Sequence, residues 1–148
     1  MINDNQIYKG DVYYAVLDPA IGSEQKGERP VVVIQNDYGN KYSPTIIVAP
    51  LTKILKKIKL PTHIFIPKNE FLKFNSMVLL EQTRVIDKSR LQNYLGRLDD
   101  YKIQQLDNAL IDTFNMNIIG YLRSLGLGGE KYERQKKILY SNYYYRKE

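Results

Sequence analysis

Arg29 has a sequence setting that suits contact with a phosphate group. It directly precedes Pro30, and a proline restricts the residue before it to an extended backbone, which helps to fix where the side chain starts. A guanidinium can hold two phosphate oxygens at once. The competing interpretation is a surface ion pair between Arg29 and the carboxylate of Glu24 or Glu28.

Other polar residues could complete a site for acid–base chemistry. Glu24 is a carboxylate that could remove a proton or position a substrate, and Gln25 offers both a donor and an acceptor to the edge of a base. The alternative for both residues is a solvated loop. Thr52 ends an apolar run, where a threonine is usually a β-former next to a turn. Its hydroxyl is therefore weak evidence by itself.

Two further polar groups lie later in the chain. Glu81, Gln82 and Arg84 interrupt an otherwise apolar run, so they either face solvent or line a groove. Lys53 and Lys56 open a basic stretch that could guide a nucleic-acid backbone. A solvated basic loop is the equal alternative for the lysines.

The composition excludes several kinds of chemistry. The chain has no Cys and only one His, so disulfides, thiolate catalysis and Cys-ligated zinc are ruled out, and a pair of histidines cannot share the proton transfers. His63 lies in a predicted strand and is expected to be a structural histidine, partly buried and hydrogen-bonded. No spaced cluster of Asp residues of the calcium-loop kind is present. We expect neither a metal nor a cofactor.

The charge balance favours a polyanionic partner. A net charge of +6 and a pI of about 9.3 bias the chain towards nucleic acid, although the same charge could serve only solubility. No charged segment followed by an apolar one opens the sequence, and no apolar run approaches the roughly 20 residues that span a bilayer. These features predict a cytoplasmic protein without a membrane partner.

Short β-rich runs separated by turn residues dominate residues 11–86. Five runs are expected, the last continuing after a polar interruption: 11–17, 30–35, 45–51, 62–66 and 77–86. Residues 36–40 are read as a break between two of these runs. Residues 91–98 predict a final short strand. Such spacing predicts a small barrel and disfavours βαβ units.

One amphipathic helix is predicted after Asp99 and Asp100, which suit a helix N-terminus. Its apolar residues recur at spacings of three and four, and it should end near residues 117–120. Residues 53–59 could form a basic loop or a short helical turn. We expect residues 1–120 to form one domain and residues 121–148 to form a basic, tyrosine-rich extension, which could contact RNA, pack on the barrel or be disordered.

Six ordered blocks of the sequence resemble the MazF/PemK (also called Kid) toxins. They are Gly10-Asp11-Val12-Tyr13-Tyr14-Ala15 with Asp18-Pro19, the run from Gly22 to Asn36 that contains Glu24, Gln25 and Arg29-Pro30, Ser43-Pro44-Thr45, Ala49-Pro50-Leu51-Thr52, Leu60-Pro61-Thr62-His63, and Leu80-Glu81-Gln82-Thr83-Arg84-Val85-Ile86-Asp87. The resemblance covers roughly residues 9–119. Several blocks in order are far more specific than one.

The resemblance implies a small SH3-like barrel of the MazF/CcdB plasmid-maintenance type with a C-terminal helix. It also implies a homodimer that cleaves single-stranded RNA at specific sequences without metal, leaving a 2′,3′-cyclic phosphate and a 5′-hydroxyl, and that a cognate antitoxin neutralises. Arg29 and Thr52 would be catalytic, with Glu24 as the first candidate for the general base. For Glu81, Gln82 and Arg84 the resemblance favours the groove. The candidate RNA-binding residues are these three together with Gln25, Lys53 and Lys56.

Two alternatives remain open at this point. A CcdB-like inhibitor of DNA gyrase would share the architecture but act through protein contacts, because fold does not determine function. A barrel that binds RNA without cleaving it is the other.

Overall fold

The computed structural model describes residues 6–56, 60–131, 133–134 and 137–138. The elements with both ends in these residues are β1 (Asp11–Val16), β2 (Glu28–Val33), α1 (Asp37–Tyr42), β3 (Thr45–Thr52), β4 (His63–Ile66), β5 (Ser76–Leu79), β6 (Arg84–Asp87), β7 (Leu91–Arg97), α2 (Asp100–Thr113) and α3 (Ile118–Ser124). Every strand pairing is antiparallel. The expected fold class, mainly β with a C-terminal helix, is confirmed.

Strand β3 is the centre of the sheet. The order of strands is β4-β5-β3-β2-β1-β7, and β6 also pairs with β3. The single run expected at 77–86 forms two strands, β5 and β6, which both pair with β3. A 3-10 turn at Leu80–Gln82 separates them. Because this turn takes up three residues, β6 pairs with β3 in a register shifted from that of β5. The polar side chains of the turn, Glu81 and Gln82, lie beside the sheet.

Two apolar clusters hold the fold together. One lies between the sheet and α2, where Leu106 and Ala109 pack against residues such as Val32 and Leu51. The other lies on the opposite face and includes Val31 and Val48. Neighbouring residues of β2 thus enter different clusters, because successive side chains of a strand point to opposite faces. This double burial explains the continuous apolar runs of β2 and β3.

Helix α2 begins as expected and ends earlier than expected. The Asp99 carboxylate accepts a hydrogen bond of 2.7 Å from the Lys102 N–H, which caps the helix. Asn115 has φ of 49°, a left-handed backbone that cannot continue the helix. The expected end at 117–120 was therefore wrong, and α3 starts afresh with Asn117 accepting from the Gly120 N–H.

Two loop predictions have different outcomes. The break expected at 36–40 contains most of helix α1, because the Asn36 side chain caps it by accepting a 2.8 Å bond from the Gly39 N–H. Of the basic stretch 53–59, residues 53–56 have no regular secondary structure and 57–59 lie outside the described residues. Residues 132, 135–136 and 139–148 of the tyrosine-rich extension also lie outside them, and α3 spans its proposed start at residue 121.

Candidate active site

Arg29 and Thr52 lie at one end of the β2–β3 pair. Val31 is paired with Pro50, and Arg29 and Thr52 each lie two residues beyond that pair on their own strands. Since residues two apart on a strand share a face, both side chains leave the sheet on the same side. Both line one cavity of about 510 Å³. Arg29 and Thr52 are separated by 22 residues in the sequence, and the pairing of β2 with β3 brings them together.

The Arg29 side chain is held by its own loop. Its Nη1 donates to the Gln25 side-chain oxygen, and its Nε donates to the Lys26 carbonyl at 2.8 Å. No ion pair of Arg29 with Glu24 or Glu28 occurs among the described residues. A guanidinium has five N–H donors, so donors remain for an anion in the cavity, and the loop contacts fix the plane of the group.

Thr52 presents a nearly buried hydroxyl to the same cavity. The residue is 9% exposed, and its Oγ1 accepts a 3.1 Å hydrogen bond from the Ile54 N–H. Because a hydroxyl both accepts and donates, its hydrogen can still be donated to a group bound in the cavity. The local turn therefore orients the hydroxyl.

A second cavity, of about 350 Å³, collects most of the other residues implied by the resemblance. It is lined by Glu24, Gln25, Glu81, Gln82, Thr83 and Arg84. Gln25 joins the two cavities, because its side chain contacts Arg29 while its backbone N–H donates to the Gln82 side chain at 3.3 Å. Glu24 does not line the cavity of Arg29 and Thr52; its carboxylate accepts a 2.9 Å bond from the Ile21 N–H.

Two residues of the second cavity also contact neighbouring parts of the protein. Arg84 donates from Nη1 to the Leu17 carbonyl at 3.0 Å. Glu81 lies 2.6 Å from Nε2 of His63, whose side chain is 7% exposed. The expectation that His63 is partly buried and hydrogen-bonded is confirmed.

Several residues of the first cavity were not singled out from the sequence. Besides Arg29 and Thr52 it is lined by Lys53, which was a candidate from the sequence, and by Tyr14, Glu28, Lys73 and Phe74. Lys56 lines neither cavity. Tyr14 and Glu28 lie inside blocks of the resemblance. The sequence signal for Lys73 and Phe74 is the pairing of lysine and aromatic side chains in 71–74, which falls between two predicted strands and outside those blocks.

Other kinds of site are not apparent in the described part of the chain. There, no group of three or more His, Asp or Glu side chains is arranged to hold a metal ion. None of the helices described is both long and apolar enough to cross a membrane.

Residues 8–114 match the family of the PemK-like, MazF-like toxin of type II toxin–antitoxin systems. The match covers most of the chain, and it includes every strand, α2 and both cavities. The protein belongs to this family of toxins.

Several solved structures have a similar fold. MazF from Deinococcus radiodurans superimposes with a TM-score of 0.65 at 22% identity, covering 74% of this chain and 97% of the other. An endoribonuclease from a mycobacterial species, in complex with its cognate antitoxin, gives 0.63 at 19% identity with 74% and 96% covered. The Mycobacterium tuberculosis toxin MazF-mt6 gives 0.62 at 21% identity with 72% and 98% covered. At these identities the likeness concerns the fold.

Proposed function

We propose that this toxin is a sequence-specific endoribonuclease that cleaves single-stranded RNA. The observation that carries the proposal is the convergence of Arg29 and Thr52 on one cavity in a chain of the PemK/MazF-like family. A guanidinium and an oriented hydroxyl are groups that bind a phosphodiester and stabilise charge on it. Similarity to solved structures described as endoribonucleases supports the same assignment.

The reaction needs no external nucleophile. A base removes the proton of the RNA 2′-hydroxyl, whose oxygen attacks the adjacent phosphorus, and the bond to the 5′-oxygen breaks as that oxygen gains a proton. The products are a 2′,3′-cyclic phosphate and a 5′-hydroxyl. Arg29 stabilises the negative charge that builds up on the phosphate oxygens, and Thr52 donates a hydrogen bond that positions them.

Two carboxylates compete for the role of general base. Glu24 is the candidate that the resemblance implies, and it lines the second cavity. Glu28 lines the same cavity as Arg29 and Thr52. Comparison of Glu24→Gln with Glu28→Gln decides between them, because only loss of the true base removes the lower limb of the pH–rate profile.

The second cavity and the neighbouring lysines are proposed to hold the RNA on either side of the cut. Gln25, Glu81, Gln82 and Arg84 offer donors and acceptors for base edges. Lys53 and Lys56 supply positive charge for the backbone. Gln25 is well placed to couple base recognition to the orientation of Arg29.

The proposal extends to the partners of the toxin. We expect a homodimer that acts on mRNA in the cytoplasm and is neutralised by a small, partly disordered antitoxin, whose acidic tail competes with RNA for the basic groove. In this view residues 1–120 form the toxin domain and 121–148 an extension to it.

Incubation with mixed-sequence single-stranded RNA in EDTA tests the function. We expect cleavage, with mapped ends that carry a cyclic phosphate and a 5′-hydroxyl, and no cleavage where the nucleotide at the cut lacks its 2′-hydroxyl. Intact RNA with folded protein would reject the nuclease. Inhibition of gyrase would then favour the CcdB-like alternative, and binding without cleavage would favour a non-catalytic RNA-binding protein.

A further inference from the structure

Phe74 is an exposed aromatic residue at the mouth of the cavity that holds Arg29 and Thr52. Its side chain is 56% exposed, and it lines that cavity from the loop 67–75 between β4 and β5. Exposure of a phenyl ring costs hydrophobic free energy that burial would recover. A ring left outside beside a cationic cavity is therefore a candidate contact for a ligand with both a flat apolar face and negative charge.

The loop that carries Phe74 is built by specific contacts. The Asn69 side-chain oxygen accepts hydrogen bonds from the Phe71 and Leu72 N–H groups at 3.0 and 2.9 Å. The Asn75 side chain accepts one of 2.9 Å from the Lys68 N–H. Leu72 is only 4% exposed and lies in the core. The loop therefore turns other apolar residues inward while Phe74 stays outside.

Phe74 is also tied to the strand end that presents Thr52. The buried Ser76 hydroxyl donates to the Phe74 carbonyl at 2.9 Å, and Ser76 begins β5, in which Met77 pairs with Thr52. Lys53 directly follows Thr52 at the end of β3, and its ammonium lies 4.4 Å from the centre of the Phe74 ring. This cation–π contact holds the ring beside the catalytic pair.

We propose that Phe74 stacks on a base of the RNA next to the scissile phosphate, while Lys53 contacts the neighbouring backbone. The inference rests on the proposed function, for which it names a further binding residue. Stacking on an aromatic ring accepts any base, because every base has a π face. RNA is favoured over an acidic protein segment, since only a nucleotide brings a flat ring and a phosphate within one residue.

The test uses RNA of the mapped cleavage sequence with a 2′-deoxy nucleotide at the cut and 2-aminopurine beside it. Anisotropy measures affinity, and quenching of 2-aminopurine reports stacking. Phe74→Ala and Phe74→Leu should each weaken binding by about tenfold and lose the quenching, whereas Phe74→Tyr should keep both. Phe74→Leu retains an apolar side chain without a π face, so it separates stacking from plain hydrophobic contact.

Phe114→Ala is the matched control. Phe114 is 60% exposed and lies at the end of α2, outside both cavities, so its loss should change neither signal. Wild-type binding by Phe74→Ala, or equal behaviour of the Leu and Tyr variants, would overturn the inference. If wild-type protein cleaves RNA in either of those cases, the proposed function survives. Failure of wild type to bind or cleave RNA would reject both.

Discussion

Arg29 and Thr52 each lie two residues beyond the last pair of β2 and β3, which is Val31 with Pro50. Each has its local anchor: the Gln25 side chain and Lys26 carbonyl for Arg29, and the Ile54 N–H for Thr52. Groups held in this way lose little freedom when they bind a transition state. The side chains of Arg29 and Thr52 are therefore already oriented before a substrate binds.

The hydroxyl of Thr52 should matter more than its methyl group. Thr52→Val should slow cleavage by about 10- to 150-fold, because a hydrogen bond to a charged group contributes roughly 1.5–3 kcal/mol. Thr52→Ser should stay within a few-fold of wild type. Single-turnover cleavage rates check both, with thermal unfolding to show that each variant is folded. Equal loss in the Ser and Val variants would indicate that packing, and not the hydroxyl, is required.

Lys53 should contribute to the salt dependence of RNA binding. Each phosphate contact with single-stranded nucleic acid adds about 0.7 to the slope of log affinity against log salt concentration, so Lys53→Ala should reduce the slope by roughly one contact. Lys41→Ala is the control, because Lys41 lies on α1 beside Tyr42 and outside both cavities. An unchanged slope in Lys53→Ala would show that this ammonium makes no phosphate contact.

Gly96→Ala should displace the loop that carries Phe74. A Cβ at residue 96 would lie 2.4 Å from Cδ1 and 3.0 Å from Cβ of Phe71, so the Phe71 side chain cannot escape by moving its tip. We expect a loss of about 1–3 kcal/mol of stability together with weaker RNA binding. In the Phe71→Ala background the same change should cost much less. Denaturant unfolding measures the loss of stability caused by Gly96→Ala in the wild-type and Phe71→Ala proteins. Equal losses in the two would contradict a steric clash with Phe71.

Tyr13 should make the folded state less stable at high pH. Burial, then the negative charge of Asp11, then Tyr94 raise the pKa of Tyr13 from 10.0 to about 12. As the pH rises, the Tyr13 hydroxyl therefore loses its proton first in the unfolded chain. The contribution of Tyr13 to the free energy of unfolding is complete below pH 10 and declines as the pH rises towards 12. Tyr13→Phe should decline less over that window, while Tyr94, whose pKa burial also raises, is present in both proteins. Parallel declines in denaturant midpoint would contradict the assignment.

The sequence patterns predicted most strands because their apolar runs are short and separated by strong turn residues. The start of α2 was predictable from Asp99, whose carboxylate does cap the helix. The end of α2 was not, since the left-handed backbone of Asn115 is one conformation among several open to an asparagine. Similarly, Asn36 suits both a turn and a helix cap, which concealed α1.

The candidate site was predictable only in part. The resemblance of the six sequence blocks to the MazF/PemK toxins identified Arg29 and Thr52. The register of β2 and β3 explains why these two residues lie close together. Glu28 directly precedes Arg29 on β2, whereas the position of Phe74 depends on how the loop 67–75 folds back to the strand ends, which no local pattern encodes. Glu24 shows the reverse effect, because its closeness in sequence to Arg29 does not place it in the same cavity.

The single-turnover cleavage rate of Arg29→Ala on RNA of the mapped sequence tests the central claim most directly. Removal of a charge-stabilising donor should slow cleavage by about 100- to 1,000-fold, with the fold retained, while Arg123→Ala on the exposed surface of α3 should cleave as wild type does. A folded Arg29→Ala protein that cleaves at the wild-type rate would contradict the assignment of this cavity as the catalytic site.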